Sequence, residues 1–262
     1  MQVRDATGYD FSLERTPTRI VSLVPSQTEF IADLGLANQL VGITRFCIHP
    51  KSVFTRTTKV GGTKQPHIEK IKALAPDLIV ANKEENEKEV VEALRTFCPV
   101  WVSDVRSLEQ SLDMMQSLGD ILEKGKEAQR WVQQVAEGFE SLVPVSRPFR
   151  VVYLIWRNPF MAVSGDTFIG DMLQRLGLIN VLAHASERYP VLTLEDLRVL
   201  EPDLILLSSE PYPFRMTHGE ELQQVCPRAK VMTVDGEMFS WYGSRIVQSV
   251  PYFQTLLSTW QS

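Results

Sequence analysis

The segment IEKIKALAPDLIVANKE at residues 68–84 is repeated in altered form as LEDLRVLEPDLILLSSE at residues 194–210. In the first copy, apolar residues recur at helical spacing ahead of Pro76, and the apolar run LIVA follows Asp77. The second copy has the same arrangement around Pro202, followed by LILL. Each copy therefore predicts a helix that stops at the proline, followed by a buried strand of a parallel sheet.

Further paired segments follow in the same order in the two halves of the chain. Two apolar runs predict buried strands, two Leu-Gly-Leu segments predict helices that end at glycine, and two later runs predict another strand. These pairs are residues 20–26 with 151–157, 34–38 with 176–180, and 100–104 with 231–235. Thr193 is a favourable N-cap for the second repeated helix, with Asp196 at the reciprocal position. The matches indicate duplication of a lobe in which strands alternate with helices.

Residues 107–143, between the two halves, have a helical pattern over nearly their whole length. Gly125 divides this segment into a helix of the first lobe and a longer helix with one apolar stripe. From Gly125 to Val143 that second helix would extend about 28 Å, and Pro144 would end it.

The predicted fold is therefore α/β, with two similar lobes that contain mainly parallel sheets and are joined by one long rigid helix. The predicted boundaries are residues 1–122 for the first lobe, 123–145 for the connecting helix and 146–262 for the second lobe.

The length and net charge of the chain restrict the classes of molecule that it is expected to bind. The chain has 262 residues and a formal net charge of -5, which argues against nucleic acid. No apolar run approaches the ~20 residues of a membrane helix, so we expect no membrane insertion. The first residues lack the apolar core of a signal peptide, so either the protein stays in the cytoplasm or its signal has been removed.

The sequence contains no motif that predicts catalysis or a metal site. It has no P-loop, GxGxxG or GxSxG pattern, so we predict a protein that is not an enzyme. His49, His67, His184 and His218 lie far apart, and the three cysteines have no ligand spacing. We expect no metal and no cofactor. We also expect buried or free thiols, with one disulfide as an open alternative.

Ligands of open parallel sheets bind beyond the carboxyl ends of the strands, so residues that follow the predicted strands are candidate ligand-binding residues. They are Arg45, Phe46, His49, Lys83 and Glu84 from the first lobe and Trp156, Arg157, Glu210, Tyr212, Phe214, Trp241, Tyr242 and Arg245 from the second. The aromatic rings would stack on a broad ligand, and the arginines would bind its carboxylates or phosphates. Alternatively, the rings pack under loops and the arginines pair with Glu84, Glu85 or Glu210.

Glu69 and Glu195 occupy the same place in the two copies, in the first turn of the repeated helix. An acidic side chain there is favoured by the helix dipole, which explains each residue separately. The repetition also allows a second use, in which one acid on each lobe contacts a two-fold symmetric partner.

RIVSLVPSQTEFIADLGLANQLVGITRFCIHP at residues 19–50 and HIEKIKALAPDLIVA at residues 67–81 resemble the substrate-binding proteins of ABC importers for vitamin B12, haem and iron-siderophores. The resemblance is strongest to the cobalamin-binding branch. It implies a class III periplasmic-binding-protein-like fold and a monomeric periplasmic protein that holds a small-molecule ligand between its lobes with little hinge motion.

The resemblance also implies roles for particular residues. Glu69 would dock to an arginine of a dimeric ABC permease, Phe46 would contact a corrinoid, and the loop of Trp241 would cover the ligand from the other lobe. The docking role of Glu195 on the second lobe follows from the internal repeat. The leading hypothesis is thus a solute-binding protein for a corrinoid, haem or ferric siderophore. The missing signal and the charged runs KEEN and EPYPF favour the alternatives: a cytoplasmic enzyme, a corrinoid- or metal-handling protein, or a sensor with the same frame.

Overall fold

A computed structural model describes residues 1–261 and divides into two compact units. The first unit contains residues 1–105, 109–137 and 241–246, and the second contains residues 106–108, 138–240 and the chain from residue 247 onward. Each unit contains a mainly parallel sheet, which confirms the predicted two-lobed α/β fold. The exact boundaries proposed for the lobes and the connecting helix stay predictions.

The first unit is built on a five-stranded sheet in which all pairs are parallel. The sheet consists of β3 (Ile20–Ser22), β4 (Leu40–Ile43), β5 (Thr58–Lys59), β6 (Leu78–Asn82) and β7 (Val100–Ser103). The first two strands of the unit form a separate hairpin, β1 (Gln2–Arg4) and β2 (Asp10–Ser12). The helices are α1 (Pro25–Ile31), α2 (Lys51–Arg56), α3 (Ile68–Ala73), α4 (Lys88–Arg95), α5 (Leu108–Ile121) and α6 (Gly125–Glu140), whose last three residues belong to the second unit. The sheet order is β5-β4-β3-β6-β7, and the central strands β3 and β6 are buried throughout, as their apolar runs require.

The second unit has a sheet with the order β11-β9-β8-β12-β13, and β10 pairs with β8. Its strands are β8 (Arg150–Trp156), β9 (Phe160–Ala162), β10 (Ile179–Asn180), β11 (Val191–Leu192), β12 (Leu204–Ser208) and β13 (Lys230–Val234). The helices are α7 (Phe168–Arg175), α8 (Leu194–Leu200), α9 (Met216–Val225), α10 (Gly236–Ser240) and α11 (Ile246–Gln261). The pairs β8–β9 and β9–β11 are antiparallel, and the remaining pairs of this sheet are parallel.

The repeated Pro-Asp sequence is fixed by the same hydrogen bonds in both units. Asp77 Oδ1 accepts a 2.8 Å hydrogen bond from the Arg19 N–H, and Asp203 Oδ2 accepts one of 2.8 Å from the Arg150 N–H. Each arginine side chain also donates to the last carbonyls of the repeated helix. Because those carbonyls lack partners within the helix and carry partial negative charge, a cation satisfies them well. The duplication therefore extends to the residues that open β3 and β8.

The repeated helices end earlier than predicted. They stop at Ala73 and Leu200, and the residues just before the prolines, Ala75 and Glu201, have φ angles of 45° and 43°. A residue that precedes proline is disfavoured in the right-handed helical region, so the helix has to end before it. Pro76 therefore follows a left-handed turn and does not itself terminate the helix.

Three local predictions of backbone structure are confirmed. Gly35 and Gly177 have φ angles of 82° and 77°, the left-handed conformation expected of glycine at a helix end. Thr193 Oγ1 accepts a 3.1 Å hydrogen bond from the Asp196 N–H, and the Asp196 carboxylate accepts one of 2.8 Å from the Thr193 N–H. The second repeated helix therefore starts with a complete capping box.

The helix predicted to connect the lobes is shorter than expected. It ends at Glu140, whereas the sequence predicted an end at Val143. The Ser141 and Leu142 N–H groups bond to the carbonyls of residues 138 and 139, three residues back. Such bonds tighten the last turn and satisfy its carbonyls, so the helix ends ahead of Pro144.

The N-terminal hairpin is fixed to the first unit by Asp5, whose side chain is fully buried. Its carboxylate accepts hydrogen bonds from the Thr7 N–H at 2.8 Å and the Tyr9 N–H at 3.0 Å. Arg95 Nη2 donates to the same carboxylate at 2.6 Å, and the Arg95 guanidinium lies 3.8 Å from the centroid of the Tyr9 ring. The Ala6 N–H donates a hydrogen bond to the Val102 carbonyl of β7. The N-terminal hairpin therefore covers part of this edge strand of the sheet.

The three cysteines are buried and free, so the disulfide alternative was wrong. Among residues 1–261, every helix falls short of the combined length and apolarity that crossing a bilayer would require.

Candidate functional site

Phe46 presents an exposed aromatic ring beyond the carboxyl end of β4. Its exposed fraction is 46%, which is high for so large an apolar side chain. The Arg45 guanidinium lies 4.9 Å from the ring centroid, and the Arg45 N–H donates to the Gly61 carbonyl at 2.9 Å. Gly62 lies next to the ring, and a Cβ added there would be in van der Waals contact with it at 3.6 Å. The arrangement offers a flat apolar face next to a cation.

Two asparagines, Asn82 and Asn86, shape the loop after β6. Asn82 Oδ1 accepts a 2.8 Å hydrogen bond from the Glu84 N–H, and Asn86 Oδ1 accepts one of 2.9 Å from the Asn82 N–H. Asn86 Nδ2 also donates to the Thr63 carbonyl at 2.8 Å, which ties this loop to the neighbouring one. An asparagine at the end of a strand is a signal for such turns, because its side chain bonds to backbone two residues on.

The segment 241–246 belongs to the first unit, whereas the sequence analysis assigned it to the second lobe. Arg245 donates two hydrogen bonds of 2.7 Å to the Glu29 carboxylate, and both side chains are largely buried. The Gly243 N–H donates to Ser111 Oγ at 3.1 Å. A bidentate ion pair removed from water fixes the segment firmly to α1. Burial raises the pKa of the Glu29 carboxyl, although Arg245 opposes the shift.

Trp241 and Tyr242 expose little surface, 7% each. The Trp241 ring packs edge-on against His49, with centroids 5.2 Å apart. The Tyr242 hydroxyl accepts a 3.3 Å hydrogen bond from Gln27 Nε2, and burial raises the Tyr242 pKa. The predicted contacts of Trp241, Tyr242 and His49 with a ligand stay predictions.

The second unit gathers an aromatic cluster, defined as Trp156, Tyr212, Phe214 and His218. Trp156 is the last residue of β8 and is 41% exposed, while Phe214 is buried. The Tyr212 ring contacts Trp156, Phe214 and His218, with centroids 5.6, 4.8 and 5.6 Å away. The first three members were predicted from the sequence but His218 was not, because a single histidine without a partner motif carries little signal.

An open groove of about 520 Å³ borders this cluster through Phe214. The lining residues are Ser209, Phe214, Arg215, Met216, Thr233, Val234 and Asp235. Glu210, in the same loop, accepts a 2.7 Å hydrogen bond from Ser240 Oγ. The loop from 209 to 216 therefore adjoins open space, as a ligand-binding loop requires.

Several charged candidates are paired within their own unit, with partners other than Glu84, Glu85 and Glu210. The pairs are Lys83–Asp104 at 3.2 Å, Arg157–Glu221 at 2.8 Å and Arg245–Glu29 at 2.7 Å. The hydrogen bond to Glu221 raises the pKa of Arg157, which also bonds to Tyr212. For Arg157 and Arg245 the acidic partners are Glu221 and Glu29, which the sequence analysis had not named.

Glu69 and Glu195 are both exposed and lie in the first turns of α3 and α8. Arg198 Nη2 and Nε donate to the Glu195 carboxylate at 2.6 and 2.9 Å, which holds the pKa of Glu195 below its usual value. Among residues 1–261, no group of three or more His, Cys, Asp or Glu side chains is arranged so that it could hold a metal ion.

Known proteins share both the sequence pattern and the fold. A family model described as periplasmic binding protein matches residues 20–230. The vitamin B12-binding protein of Photorhabdus laumondii is 24% identical over 245 residues, which cover 92% of this chain and 88% of that protein. The ABC transporter substrate-binding lipoprotein YvrC of Bacillus subtilis is 24% identical over 262 residues, covering 95% of this chain and 82% of that protein.

Among solved structures, the apo form of the periplasmic heme-binding protein RhuT from Roseiflexus sp. RS-1 has a TM-score of 0.78 at 19% identity, with 93% of this chain and 97% of that chain covered. The family match spans most of the sequence and confirms the resemblance seen in residues 19–50 and 67–81. The chain therefore belongs to the periplasmic binding protein family.

Proposed function

We propose that this protein is the solute-binding component of an ABC importer and that its ligand is a corrinoid, a haem or an iron-siderophore-like chelate. The family assignment and the relatives named for vitamin B12, heme and ABC transport support the proposal. On this account the protein binds and delivers its ligand without chemical change. It works outside the cytoplasm, as the periplasmic and lipoprotein relatives do.

The observation that carries the proposal is the pair of exposed rings at the carboxyl ends of the two sheets. Phe46 in the first unit and Trp156 in the second are 46% and 41% exposed, although burial of such rings is strongly favoured. A tetrapyrrole or a large chelate has broad apolar faces that suit these rings. Burial of about 300 Å² of apolar ligand surface would contribute about 7 kcal/mol before the cost of association.

A panel of ligands tests the proposal. Cyanocobalamin, cobinamide, hemin and a ferric siderophore are titrated into the protein, and binding is followed by visible absorbance and by quenching of tryptophan fluorescence. We expect at least one of them to bind with a dissociation constant of about 1 μM or lower, or about -8 kcal/mol. Absence of saturable binding for all four would refute the proposal.

We further propose that Glu69 and Glu195 contact the permease. Both are exposed acids at equivalent positions of the repeat, so they suit a symmetric partner that offers cations. The double variant Glu69→Lys/Glu195→Lys should lose ligand uptake almost completely in cells that carry the cognate permease. Ligand affinity of the purified variant should stay within about twofold of the wild type, because the two acids lie in the first turns of α3 and α8 and not among the candidate ligand-binding residues.

A charge-matched control is Glu89→Lys/Glu220→Lys. Both residues are exposed, one in the first turn of α4 and one on α9, and the net charge changes by the same amount. This control should support normal uptake. Equal uptake by the docking variant and the control would show that Glu69 and Glu195 serve only their own helices.

A further inference from the structure

His218 joins the start of α9 to the aromatic residues of the preceding loop. Its Nδ1 accepts a 2.9 Å hydrogen bond from the Arg215 N–H, the residue just before the helix. Its ring lies 5.6 Å from Tyr212 and 5.8 Å from Phe214 between centroids. One side chain thus caps the helix and supports both rings of the loop.

The hydrogen bond to Nδ1 determines the protonation state that this arrangement needs. A neutral imidazole has one nitrogen that accepts and one that donates, whereas the protonated ring has two donors and no acceptor. Because a backbone N–H can only donate, His218 caps α9 only while Nδ1 carries no proton. Protonation would therefore remove the bond to Arg215 and free the ring.

Of the titratable and charged residues in this region, Tyr212 contacts the imidazole with its ring and Arg215 supplies the backbone N–H donor. Arg157 already bonds to Glu221 and to Tyr212, so a second contact holds the Tyr212 ring. Histidine is the side-chain type whose charge ordinarily changes between pH 5 and 8.

We propose that neutral His218 is a positioning residue that holds Tyr212 and Phe214 in their binding arrangement, so that mild acidification weakens ligand binding. The inference rests on the proposed function. Tyr212 transmits the effect to Trp156, since the two rings are in edge-to-face contact at 5.6 Å.

The variant His218→Gln separates this role from a general structural one. Glutamine at the third helical position accepts the N-cap N–H as histidine does, but it does not titrate. The probe is whichever of hemin and cyanocobalamin binds the wild type more tightly. We expect the affinity of the wild type for this probe to fall about two- to tenfold from about pH 7.5 to about pH 5.5, because one net hydrogen bond is lost. The affinity of His218→Gln for the same probe should change by less than about twofold over the same pH interval.

The matched control is His184→Gln, an exposed histidine in the same unit, which should keep the wild-type pH dependence. His218→Ala should bind more weakly than the wild type already at neutral pH, because both the cap and the ring contacts are lost. Identical pH profiles for the wild type and His218→Gln would overturn the inference.

A measurement without ligand keeps this test independent of the proposed function. Hydrogen exchange of the peptide 210–219, corrected for intrinsic rates, should show protection at neutral pH that the wild type loses at about pH 5.5 and that His218→Gln retains. If no probe binds but this difference appears, the proposed function fails while the switch in the loop stands. Equal wild-type protection at both pH values would overturn the switch even if a probe binds.

Discussion

Replacement of Arg245 by methionine is expected to lower the free energy of unfolding by about 3–5 kcal/mol near pH 7.5, the usual cost of leaving one partner of a buried ion pair alone. The Arg245 and Glu29 side chains are 7% and 10% exposed and share two hydrogen bonds of 2.7 Å. Without the guanidinium, the Glu29 carboxylate keeps its desolvation cost and loses its strongest partner. Urea unfolding followed by far-UV circular dichroism measures the change.

The loss should depend on pH in a defined direction. Burial already raises the pKa of Glu29, and Arg245 opposes that shift, so the variant raises the pKa further. A carboxyl with a folded pKa above its unfolded value takes up a proton on folding. Its contribution to stability is therefore fully present below the unfolded pKa and is lost as the pH rises through the folded pKa. Arg245→Met should thus be less destabilised near pH 5 than near pH 7.5.

Two further variants isolate the ion pair. Arg198→Met removes the arginine of an exposed pair, 65% and 63% exposed, and should change stability by less than about 1 kcal/mol. Glu29→Gln/Arg245→Met removes the unpaired charge and should recover part of the stability. If Arg245→Met were as stable as Arg198→Met, residues 241–246 would not be held by this pair.

Replacement of Asp5 by alanine is expected to destabilise the protein by about 3–5 kcal/mol. The carboxylate is fully buried and accepts hydrogen bonds from Thr7, Tyr9 and Arg95. The Arg95 side chain is only 9% exposed, and in the alanine variant it loses this carboxylate partner. The hairpin N–H groups lose their acceptors as well. Hydrogen exchange should show the earliest loss of protection in residues 1–13 and in β7, which that segment partly covers.

Asp10→Ala is the matched control for the hairpin. Asp10 forms a 3.8 Å pair with Arg4 on the surface, where both side chains are more than half exposed, so its removal should cost less than about 1 kcal/mol. Asp5→Asn should fall between the two, since an amide keeps one acceptor but loses the charge. Equal stability of Asp5→Ala and Asp10→Ala would show that the hairpin contributes nothing to the first unit.

The fold could be predicted from local pattern because its decisive signals are local. Helical spacing, the apolar runs of β6 and β12, and the Thr193 cap all lie within a few residues, and the repeat supplied each signal twice. The placement of residues 241–246 could not be predicted in this way. It depends on an ion pair between residues 216 positions apart, and no periodicity encodes such a contact.

The residues of the candidate site show the same difference between what local pattern predicts and what it does not. Exposed rings at or just beyond the ends of strands were predictable, and Phe46 and Trp156 are found there. His218 was not, because its role follows from the packing of its ring and from one backbone bond. The position did carry a signal: a side-chain acceptor three residues after the residue that precedes a helix is the second half of a capping box.

We propose that this protein binds a corrinoid or haem-like chelate through its exposed rings, Phe46 and Trp156. Isothermal titration of hemin and of cyanocobalamin into the wild type, Phe46→Ala and Trp156→Ala tests it most directly. We expect one of the two to bind the wild type with a saturable isotherm and each variant to bind at least about fivefold more weakly, the loss of about 1 kcal/mol of ring contact. Wild-type isotherms without saturation for both compounds, or affinities unchanged in both variants, would contradict the account.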